Sequence, residues 1–315
     1  MRVAFVGTEE IGELALRAVA GSRHEVVLVV TQPDRPKGRG RKIVPGAVRQ
    51  AADELGIPLI QPESIRDEAA REPLKEASPD ILAVVSYGEY IPESIYSVPV
   101  YGGVNVHPSL LPRWRGAAPV HYALLAGDTV TGVSVQRIHK KMDAGDILLQ
   151  EEVAVEWEDN HATLCEKLYP LGAEMLVRVL DGLETGTIVP RPQDPGFVTE
   201  APKIEKSDLL LDWSKPADEV RNRIRAFSPV PGARSAFRGS VCKVLSASIE
   251  PGATERGSEA GVIVGLAAQG PIVACSEGAL LLTMLQPEGK KPIKGGDFIN
   301  GYRPLMGERF EPTPQ

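Results

Sequence analysis

The sequence contains little cysteine and no long apolar run, and each of these absences excludes a class of protein. Its 315 residues include three cysteines, which lie too far apart for the spacing of a metal site. A sparse, odd set of this kind is typical of a reducing compartment and not of a disulfide-stabilised secreted domain. No apolar run reaches the length of a membrane span, and Glu9 and Glu10 make the first residues a poor signal peptide. We therefore expect a cytoplasmic protein that binds no membrane and no metal.

The first turn of the chain lacks the Gly-x-Gly signature of a dinucleotide site. Residues 2–7 form an apolar strand, the apolar side chains of residues 9–20 have helical spacing, and residues 25–31 form a second apolar strand. This order predicts a βαβ unit. The turn holds Gly7 and Gly12 but not the paired glycines that let a backbone approach a pyrophosphate. The sequence disfavours a nicotinamide-dependent dehydrogenase, which stays an alternative.

The alternation of strands and helices continues to residue 186 and predicts an α/β domain. Strands that are apolar on both faces favour a mostly parallel sheet covered by helices. Further helices are expected at residues 46–55, 64–77, 117–125 and 164–186, and further strands at residues 57–60, 81–86, 102–106 and 131–138.

The composition changes at residues 190–205, which are rich in proline and have little periodicity. This indicates a stiff linker between domains. After it, one helix at residues 216–227 precedes several short strands separated by glycine and proline turns. The pattern suggests a small antiparallel barrel, of which the OB fold is one candidate. We predict a first domain of residues 1–189 and a second of residues 206–315.

Charge is unevenly distributed along the chain. The formal net charge of -7 argues against a wholly basic nucleic-acid-binding protein. The acidic excess lies in residues 1–205, whereas residues 206–315 carry slightly more cations than anions. The C-terminal part is therefore the better candidate for contact with a polyanion, although a slightly basic domain is usually just a soluble one.

One basic segment stands out in the acidic half, at residues 31–45. Its cations alternate with glycine and proline, a composition that predicts no regular secondary structure. A run of charge is usually a solvated surface. A glycine-rich basic loop can also become ordered against phosphates, and we favour that interpretation here.

Residues 104–146 contain three polar side chains suited to acyl transfer, namely Asn105, His107 and Asp143. Asn105 and His107 are two residues apart, so they share one face of a strand, which Pro108 ends. The C-terminal end of such a strand is where open α/β sheets bind ligands. Asn-x-His alone would be a polar strand end facing solvent. Asp143 alone is as well explained by a turn cap.

As a unit, these three residues have the chemistry for transferring an acyl group to an amine. An amide N–H can stabilise the tetrahedral oxyanion, and an imidazole can move protons near neutral pH. A neighbouring carboxylate favours the charged imidazole. No serine or cysteine nucleophile is needed if the amine attacks the acyl donor directly.

The residues around this candidate site resemble a known family. The motif Asn-x-His-x-Ser-Leu-Leu-Pro-x-x-Arg-Gly-Ala-Ala-Pro starts at Asn105, and Met-Asp-x-Gly-Asp starts at Met142. Both look like the formyltransferases that use 10-formyltetrahydrofolate. Gln-Pro-Asp-Arg-Pro from Gln32, Phe-Ser-Pro-x-Pro-Gly-Ala from Phe227 and the expected C-terminal barrel extend the resemblance over both domains. Within the family, the chain most resembles the members that act on methionyl-tRNA.

The resemblance implies a Rossmann-like formyltransferase domain with Asn105, His107 and Asp143 as the catalytic set. It implies transfer of a formyl group from 10-formyltetrahydrofolate to methionylated initiator tRNA, for translation initiation and without a metal. It implies that the folate site is lined by Ser109, Leu110, Leu111 and Pro112. It implies that the acceptor stem is contacted by Lys37, Arg39, Arg41 and Lys42. The C-terminal OB-like domain would bind the tRNA body, and we expect a monomer.

The sequence departs from the family pattern at two places. Pro108 stands where members often have a small residue, and Glu9 and Ile11 stand where members often have proline and an aromatic residue. A rival within the family, acting on glycinamide ribonucleotide or an amino sugar, would need neither the basic loop nor a nucleic-acid domain. A tRNA-binding module or chaperone without catalysis is the alternative from another class.

Overall fold

The structure is a computed structural model that describes residues 1–37, 42–251 and 259–312. Backbone contacts divide the chain into two compact units. The first unit comprises Met1–Pro119, Val130–Ala154 and Cys165–Pro202, and the second comprises Val120–Thr129, Val155–Leu164 and Lys203–Gln315. The predicted division into residues 1–189, 190–205 and 206–315 stays a prediction, but much of the supposed linker contacts the first unit.

The described residues form short and long strands in both units. The strands are β1 (Arg2–Gly7), β2 (Glu25–Val30), β3 (Pro36–Lys37), β4 (Lys42–Ile43), β5 (Leu59–Ile60), β6 (Ile81–Val85), β7 (Gly103–His107), β8 (Arg115–Gly116), β9 (Val130–Arg137), β10 (Ile147–Ala154), β11 (Glu200–Ala201), β12 (Ala233–Phe237), β13 (Ser240–Glu250), β14 (Ile263–Ala267), β15 (Gly270–Ala274), β16 (Ala279–Pro287), β17 (Ile293–Lys294) and β18 (Phe310–Glu311).

Helices connect most of these strands. The α-helices are α1 (Glu10–Ala20), α2 (Ala47–Leu55), α3 (Glu68–Ala77), α4 (Glu93–Tyr96), α5 (Pro119–Leu125), α6 (His161–Thr185), α7 (Ala217–Ala226) and α8 (Gly295–Tyr302). Short 3-10 helices cover Pro195–Phe197 and Ser207–Leu209.

The first unit is built on a seven-stranded sheet with the order β10-β9-β7-β6-β1-β2-β5. The five strands from β7 to β5 are parallel, and β9 and β10 run antiparallel at one edge. The mostly parallel α/β sheet predicted from the sequence is therefore confirmed. β6 is buried along its whole length, as its continuous apolar run indicated.

Helices bury their apolar stripes against this sheet. In α1 the buried side chains include Ile11, Ala15 and Val19, which recur at the spacing of one helix face. Burial of each large aliphatic side chain contributes about 1.5–3 kcal/mol to folding. Leu74 of α3 and Ile95 of α4 belong to a hydrophobic cluster that also contains buried side chains of β1, β2 and β6. This packing fixes the strand ends where the candidate site lies.

The second unit is an antiparallel sheet with the order β14-β15-β16-β13-β12-β18, and β17 pairs with β16. A bridge between Val262 and Arg309 joins the two ends of this order, so the sheet curls onto itself. Its core includes Phe237, Phe298 and Phe310, whose rings lie 5.2 to 6.1 Å apart between centroids. This arrangement confirms the predicted small antiparallel barrel-like domain.

The structure corrects one expectation about secondary structure. The basic segment was predicted to form no regular element, yet β3 and β4 pair as an antiparallel hairpin stem, with Lys37 opposite Lys42. Each strand of this stem has only two residues. Strands that short leave no pattern in a sequence in which cations alternate with glycine and proline.

The described residues contain neither a membrane-spanning helix nor a cluster of metal ligands. In these residues the structure contains no helix whose length and apolarity suffice to cross a bilayer. Nor do the described histidine, cysteine and acidic side chains come together in a group of three that would hold a metal ion.

Candidate active site

The candidate site lies at the end of β7, between the parallel neighbour β6 and the antiparallel neighbour β9. Pro108 has no N–H to continue the ladder, and the N–H of Ser109 turns back to donate to the carbonyl of His107 at 2.9 Å. The chain therefore leaves the sheet directly after His107. Asn105 is half-buried and His107 is 4% exposed.

The His107 ring is fixed by a backbone carbonyl. Its Nε2 lies 2.8 Å from the carbonyl oxygen of Trp114. A carbonyl oxygen only accepts, so Nε2 must carry the hydrogen in this bond. The other ring nitrogen, Nδ1, lies 3.8 Å from Oδ2 of Asp143. The structure thus brings together the imidazole and the carboxylate predicted from the sequence, with Nδ1 as the ring nitrogen that faces Asp143.

Two hydrogen bonds hold the Asp143 carboxylate. The backbone N–H of Gly116 donates to Oδ2 at 2.9 Å, and the amide of Gln136 donates to Oδ1 at 2.9 Å. The Asp143 side chain is 13% exposed, and its backbone has a φ of 48°. Both oxygens therefore have hydrogen-bond partners, which fix the orientation of the carboxylate.

The turn that carries Asp143 requires a glycine two residues later. A Cβ on Gly145 would lie 1.8 Å from the carbonyl oxygen of Arg137. The N–H of Arg137 in turn donates to the carbonyl of Asp146 at 2.9 Å. The loop therefore closes tightly onto the end of β9 and aims Asp143 back toward β7.

Gln136 links Asn105 to Asp143. It is the cross-strand partner of Asn105 in the β7–β9 ladder, and directly paired residues of an antiparallel ladder share one face. Because the Gln136 amide reaches Asp143, the three polar side chains line one connected edge.

Arg115 and Gln193 complete the surroundings of the carboxylate. Nε and Nη2 of Arg115 donate to Oε1 of Gln193 at 3.1 and 2.7 Å. Burial lowers the pKa of the Arg115 guanidinium, and the negative charge of Asp143 opposes this change. The side chain remains a cation because its reference pKa is so high, and it places positive charge near the site.

Comparison with known proteins identifies the family. Residues 1–180 match the family model described as formyl transferase, and residues 203–303 match the one described as formyl transferase, C-terminal domain. The methionyl-tRNA formyltransferase of Methylobacillus flagellatus is 42% identical over 311 residues, which cover 98% of this chain and 99% of that one. The chain belongs to the formyl transferase family. The resemblance inferred from the motifs at Asn105 and Met142 is therefore confirmed.

Further similarities agree with this family. The methionyl-tRNA formyltransferase of Methylococcus capsulatus is 43% identical over 310 residues, which cover 98% of this chain and 99% of that one. The solved structure of HypX from Aquifex aeolicus in complex with tetrahydrofolic acid has a TM-score of 0.63 at 18% identity and covers 100% of this chain and 51% of that one. At that identity, the likeness to HypX shows the fold alone.

In this formyl transferase, the loop expected to line the folate site divides into two kinds of residue. Ser109 is fully buried, and its hydroxyl donates to the carbonyl of Arg113 at 2.6 Å. Leu111 is 3% exposed, and its N–H donates to the hydroxyl of Ser134 at 3.0 Å. Leu110 and Pro112 are half-buried. The prediction that these four residues line the folate site stays a prediction, and the bonds of Ser109 and Leu111 hold the loop in its conformation.

Of the four cations expected to contact tRNA, the structure describes the backbone of two. The backbones of Lys37 and Lys42 are paired at the end of the β3–β4 stem. Arg39 and Arg41 lie outside the residues that the structure describes.

Sequence reasoning missed Gln136 and Gln193. A glutamine has no signal of its own, and Gln136 becomes a candidate only when its register opposite Asn105 is known. Gln193 lies in the segment interpreted as a linker, where the lack of periodicity gave no sign of contacts with the Asp143 loop.

Proposed function

We propose that this formyl transferase moves the formyl group of 10-formyltetrahydrofolate to the α-amino group of methionyl initiator tRNA, giving N-formylmethionyl-tRNA. The names of relatives that match almost the whole chain support this assignment, as does tetrahydrofolic acid bound to a protein of the same fold. The observation that carries it is the convergence of Asn105, His107 and Asp143 at the end of β7. Since the acceptor is a tRNA, we propose that the protein acts in the cytoplasm. We also propose that it acts as a monomer.

The reaction starts when the neutral α-amine attacks the formyl carbon. An α-amino group has a reference pKa of roughly 7.7–8.0, so about a tenth of it is already neutral at pH 7 and little assistance is needed. A new C–N bond forms, and the formyl oxygen takes the negative charge. The Asn105 amide and a protonated His107 stabilise this oxyanion by hydrogen bonding. Collapse breaks the bond from the formyl carbon to N10 of the folate, and N10 gains a proton to leave as tetrahydrofolate.

His107 carries the proton between the two nitrogens. The attacking amine loses one proton and N10 of the folate gains one, so an acid–base group balances the reaction without a covalent enzyme intermediate. Nε2 is committed to the Trp114 carbonyl, and the proton therefore moves through Nδ1. Asp143 faces Nδ1 at 3.8 Å and stabilises the positive charge on the ring. Catalytic contacts that are long in a free enzyme can shorten when substrate binds.

We propose that the folate contacts the loop after β7 through Leu110 and Pro112. Both side chains are half-buried and therefore retain accessible surface. Leu110 also packs beside Gly132, where an added Cβ would lie 2.6 Å from Cδ2 of Leu110. The buried bonds of Ser109 and Leu111 keep this surface in place.

We propose that tRNA is bound by the basic segment and by the second unit. Lys37, Arg39, Arg41 and Lys42 supply positive charge within a mainly acidic half of the chain. Neutralisation of phosphates releases counterions, so affinity must fall with salt. Residues 206–315 have the slight cationic excess that a polyanion partner favours.

The test is an assay of the purified protein with 10-formyltetrahydrofolate and methionylated initiator tRNA. Wild type should give N-formylmethionyl-tRNA, and His107→Ala should reduce the rate by about 10²–10⁴-fold, the usual contribution of general acid–base catalysis. Asp143→Asn should reduce it as well. Both variants should keep their affinity for tRNA.

Two outcomes would overturn the assignment. Formylation of glycinamide ribonucleotide or an amino sugar, with no reaction on tRNA, would mean a different acceptor. An unchanged rate in His107→Ala would remove the catalytic set.

A further inference from the structure

The segment between the two matched family regions contacts the candidate site at several points. Arg191 bridges to Ile147 at the start of β10. Further along, β11 pairs with β8 in parallel register, with Glu200 beside Arg115. All of these residues belong to the first unit. The segment is therefore bound along the catalytic loops from residue 191 to residue 201.

Thr199 holds the residue that orients His107. The hydroxyl oxygen of Thr199 accepts from the N–H of Trp114 at 2.8 Å, and its carbonyl accepts from the N–H of Arg115 at 2.9 Å. Trp114 has a φ of 62°, in the left-handed region that bulky L-residues disfavour. The carbonyl of that same Trp114 bonds to Nε2 of His107. Thr199 thus stabilises a strained backbone that fixes the imidazole.

Gln193 holds the residue that faces His107. Its amide nitrogen lies 2.9 Å from the carbonyl oxygen of Asp143, 2.7 Å from that of Gly145 and 3.1 Å from Oε1 of Gln136. Asp143 also has a left-handed φ, of 48°. One side chain therefore binds the backbone of the Asp143 turn and the glutamine that bonds to the Asp143 carboxylate.

The orientation of Gln193 is itself fixed. Arg115 donates two hydrogen bonds to its Oε1, which points the NH₂ group toward the Asp143 turn. An amide that is held at its oxygen and donates from its nitrogen cannot rotate without losing bonds at both ends.

We propose that Gln193 and Thr199 are positioning residues for formyl transfer, acting from the connecting segment on the two halves of the catalytic pair. Gln193 positions Asp143, and Thr199 positions His107 through Trp114. Strained left-handed residues persist where the surrounding structure holds them, and the segment hydrogen-bonds to both Trp114 and Asp143. The inference rests on the proposed function, since it assigns a role within that reaction.

The test compares four variants in steady-state formylation. Gln193→Ala and Thr199→Val each remove one positioning bond. They should lower kcat by about 10- to 100-fold, because small misplacement of catalytic groups has effects of that order. KM for 10-formyltetrahydrofolate and for tRNA should change little, since neither side chain is placed against a substrate. Thr199→Ser, which keeps the hydroxyl, should restore kcat. Gln193→Glu, which keeps the acceptor for Arg115 but loses the donors, should not.

Two control variants separate positioning from local folding. Asp194 is the next residue after Gln193, and its side chain bonds only to the N–H of Gly196 among the described residues. Thr185 has a hydroxyl that donates to the carbonyl of Asp181 at 2.9 Å, in α6. Asp194→Ala and Thr185→Val should leave kcat within about twofold of wild type, as surface changes usually do.

The outcomes are decisive in each direction. Wild-type kcat in Gln193→Glu or Thr199→Val, with either protein folded, would overturn the proposal for that residue. A rise in KM at constant kcat would overturn it as well, because it would indicate substrate binding. If His107→Ala and Asp143→Asn lose activity while the Gln193 and Thr199 variants keep it, only this inference fails. If His107→Ala keeps activity, the proposed catalytic set is wrong, and the inference about Gln193 and Thr199 falls with it.

Discussion

Asp143 combines a turn conformation with contacts to the candidate site. Its left-handed φ of 48° is better tolerated by aspartate than by most residues. Its carboxylate bonds to Gly116 and Gln136 and faces His107. The two explanations that the sequence left balanced, a turn residue and a member of the site, therefore both hold for its geometry.

We predict that Gly145→Ala reduces both activity and stability. The added methyl would lie 1.8 Å from the carbonyl oxygen of Arg137, so the backbone of the Asp143 turn must move. Overpacking of this kind destabilises by about 1–3 kcal/mol, and kcat should fall because Asp143 moves away from His107. Urea unfolding and steady-state formylation measure the two effects.

Gly301→Ala is the matched control for this variant. An added Cβ at Gly301, in α8, meets nothing within 4 Å, and alanine favours a helix over glycine. Its stability should be unchanged or slightly higher. Equal destabilisation by both substitutions would contradict the argument from close approach.

At the residue scale, the sequence supported Asn105, His107 and Asp143 through chemistry and through family motifs. It gave no access to Gln136 or Gln193, because their importance depends on contacts between distant segments. A polar side chain without a motif becomes informative only when the register of its strand or loop is known.

At the element scale, strong apolar patterns predicted the fold well and weak patterns did not. β1 was predicted with the observed bounds, since it lies before a clear turn signal. β10 was missed because Gln150 and Glu151 interrupt its apolar pattern, and α8 was missed because its three glycines have low helix propensity. Long-range pairing formed these elements where local preference did not.

We predict that the basic hairpin contributes to the salt dependence of tRNA binding. Replacement of Lys37, Arg39, Arg41 and Lys42 by alanine should weaken tRNA binding and flatten the plot of log affinity against log salt, because each phosphate contact adds roughly 0.7–0.9 to that slope. Binding assays over a salt series measure it. An unchanged slope would show that these cations do not contact phosphates.

We predict that a pair of closely packed histidines makes the stability of the second unit fall in mild acid. The rings of His121 and His161 lie 3.9 Å apart between centroids. Burial lowers the pKa of His121 to about 3 and also lowers the pKa of His161, from an ordinary value of 6.5. Below pH 6.5 the unfolded state therefore binds protons that the folded state does not. For His121, stability is lost as pH falls from 6.5 toward 3, by up to about 1.4 kcal/mol per pH unit, and the lowered pKa of His161 acts in the same direction.

His121→Phe tests this pH dependence. Phenylalanine keeps a ring beside Phe227, which lies 5.7 Å from His121, and it removes one titrating group. Urea unfolding at pH 7.5 and 5.5 should show a smaller loss of stability for the variant than for wild type. An equal loss would mean that His121 is not responsible.

At the scale of the whole molecule, both units bury their thiols. Burial raises the pKa of Cys165 to about 11 and the pKa values of Cys242 and Cys275 to about 12. The reactive species is the thiolate, so the folded protein at pH 8 should resist iodoacetamide. All three thiols should react in denaturant, and mass spectrometry counts the labels. Rapid labelling of the native protein would contradict the burial of these side chains.

The path of residues 191–201 also determines where this chain can be recombined with a relative. In a chimera with its crossover at residue 190, residues 191–201 would come from the relative. The Asp143 turn and Trp114 would then be held by residues of another protein, even if the transferred half folds well. A breakpoint just after Pro202 transfers every strand of the barrel-like sheet and keeps Gln193 and Thr199 with the loops they support, while residues 120–129 and 155–164 of the second unit stay with the recipient. The better crossover for exchanging the C-terminal sheet is therefore the far end of the proline-rich segment, not its beginning.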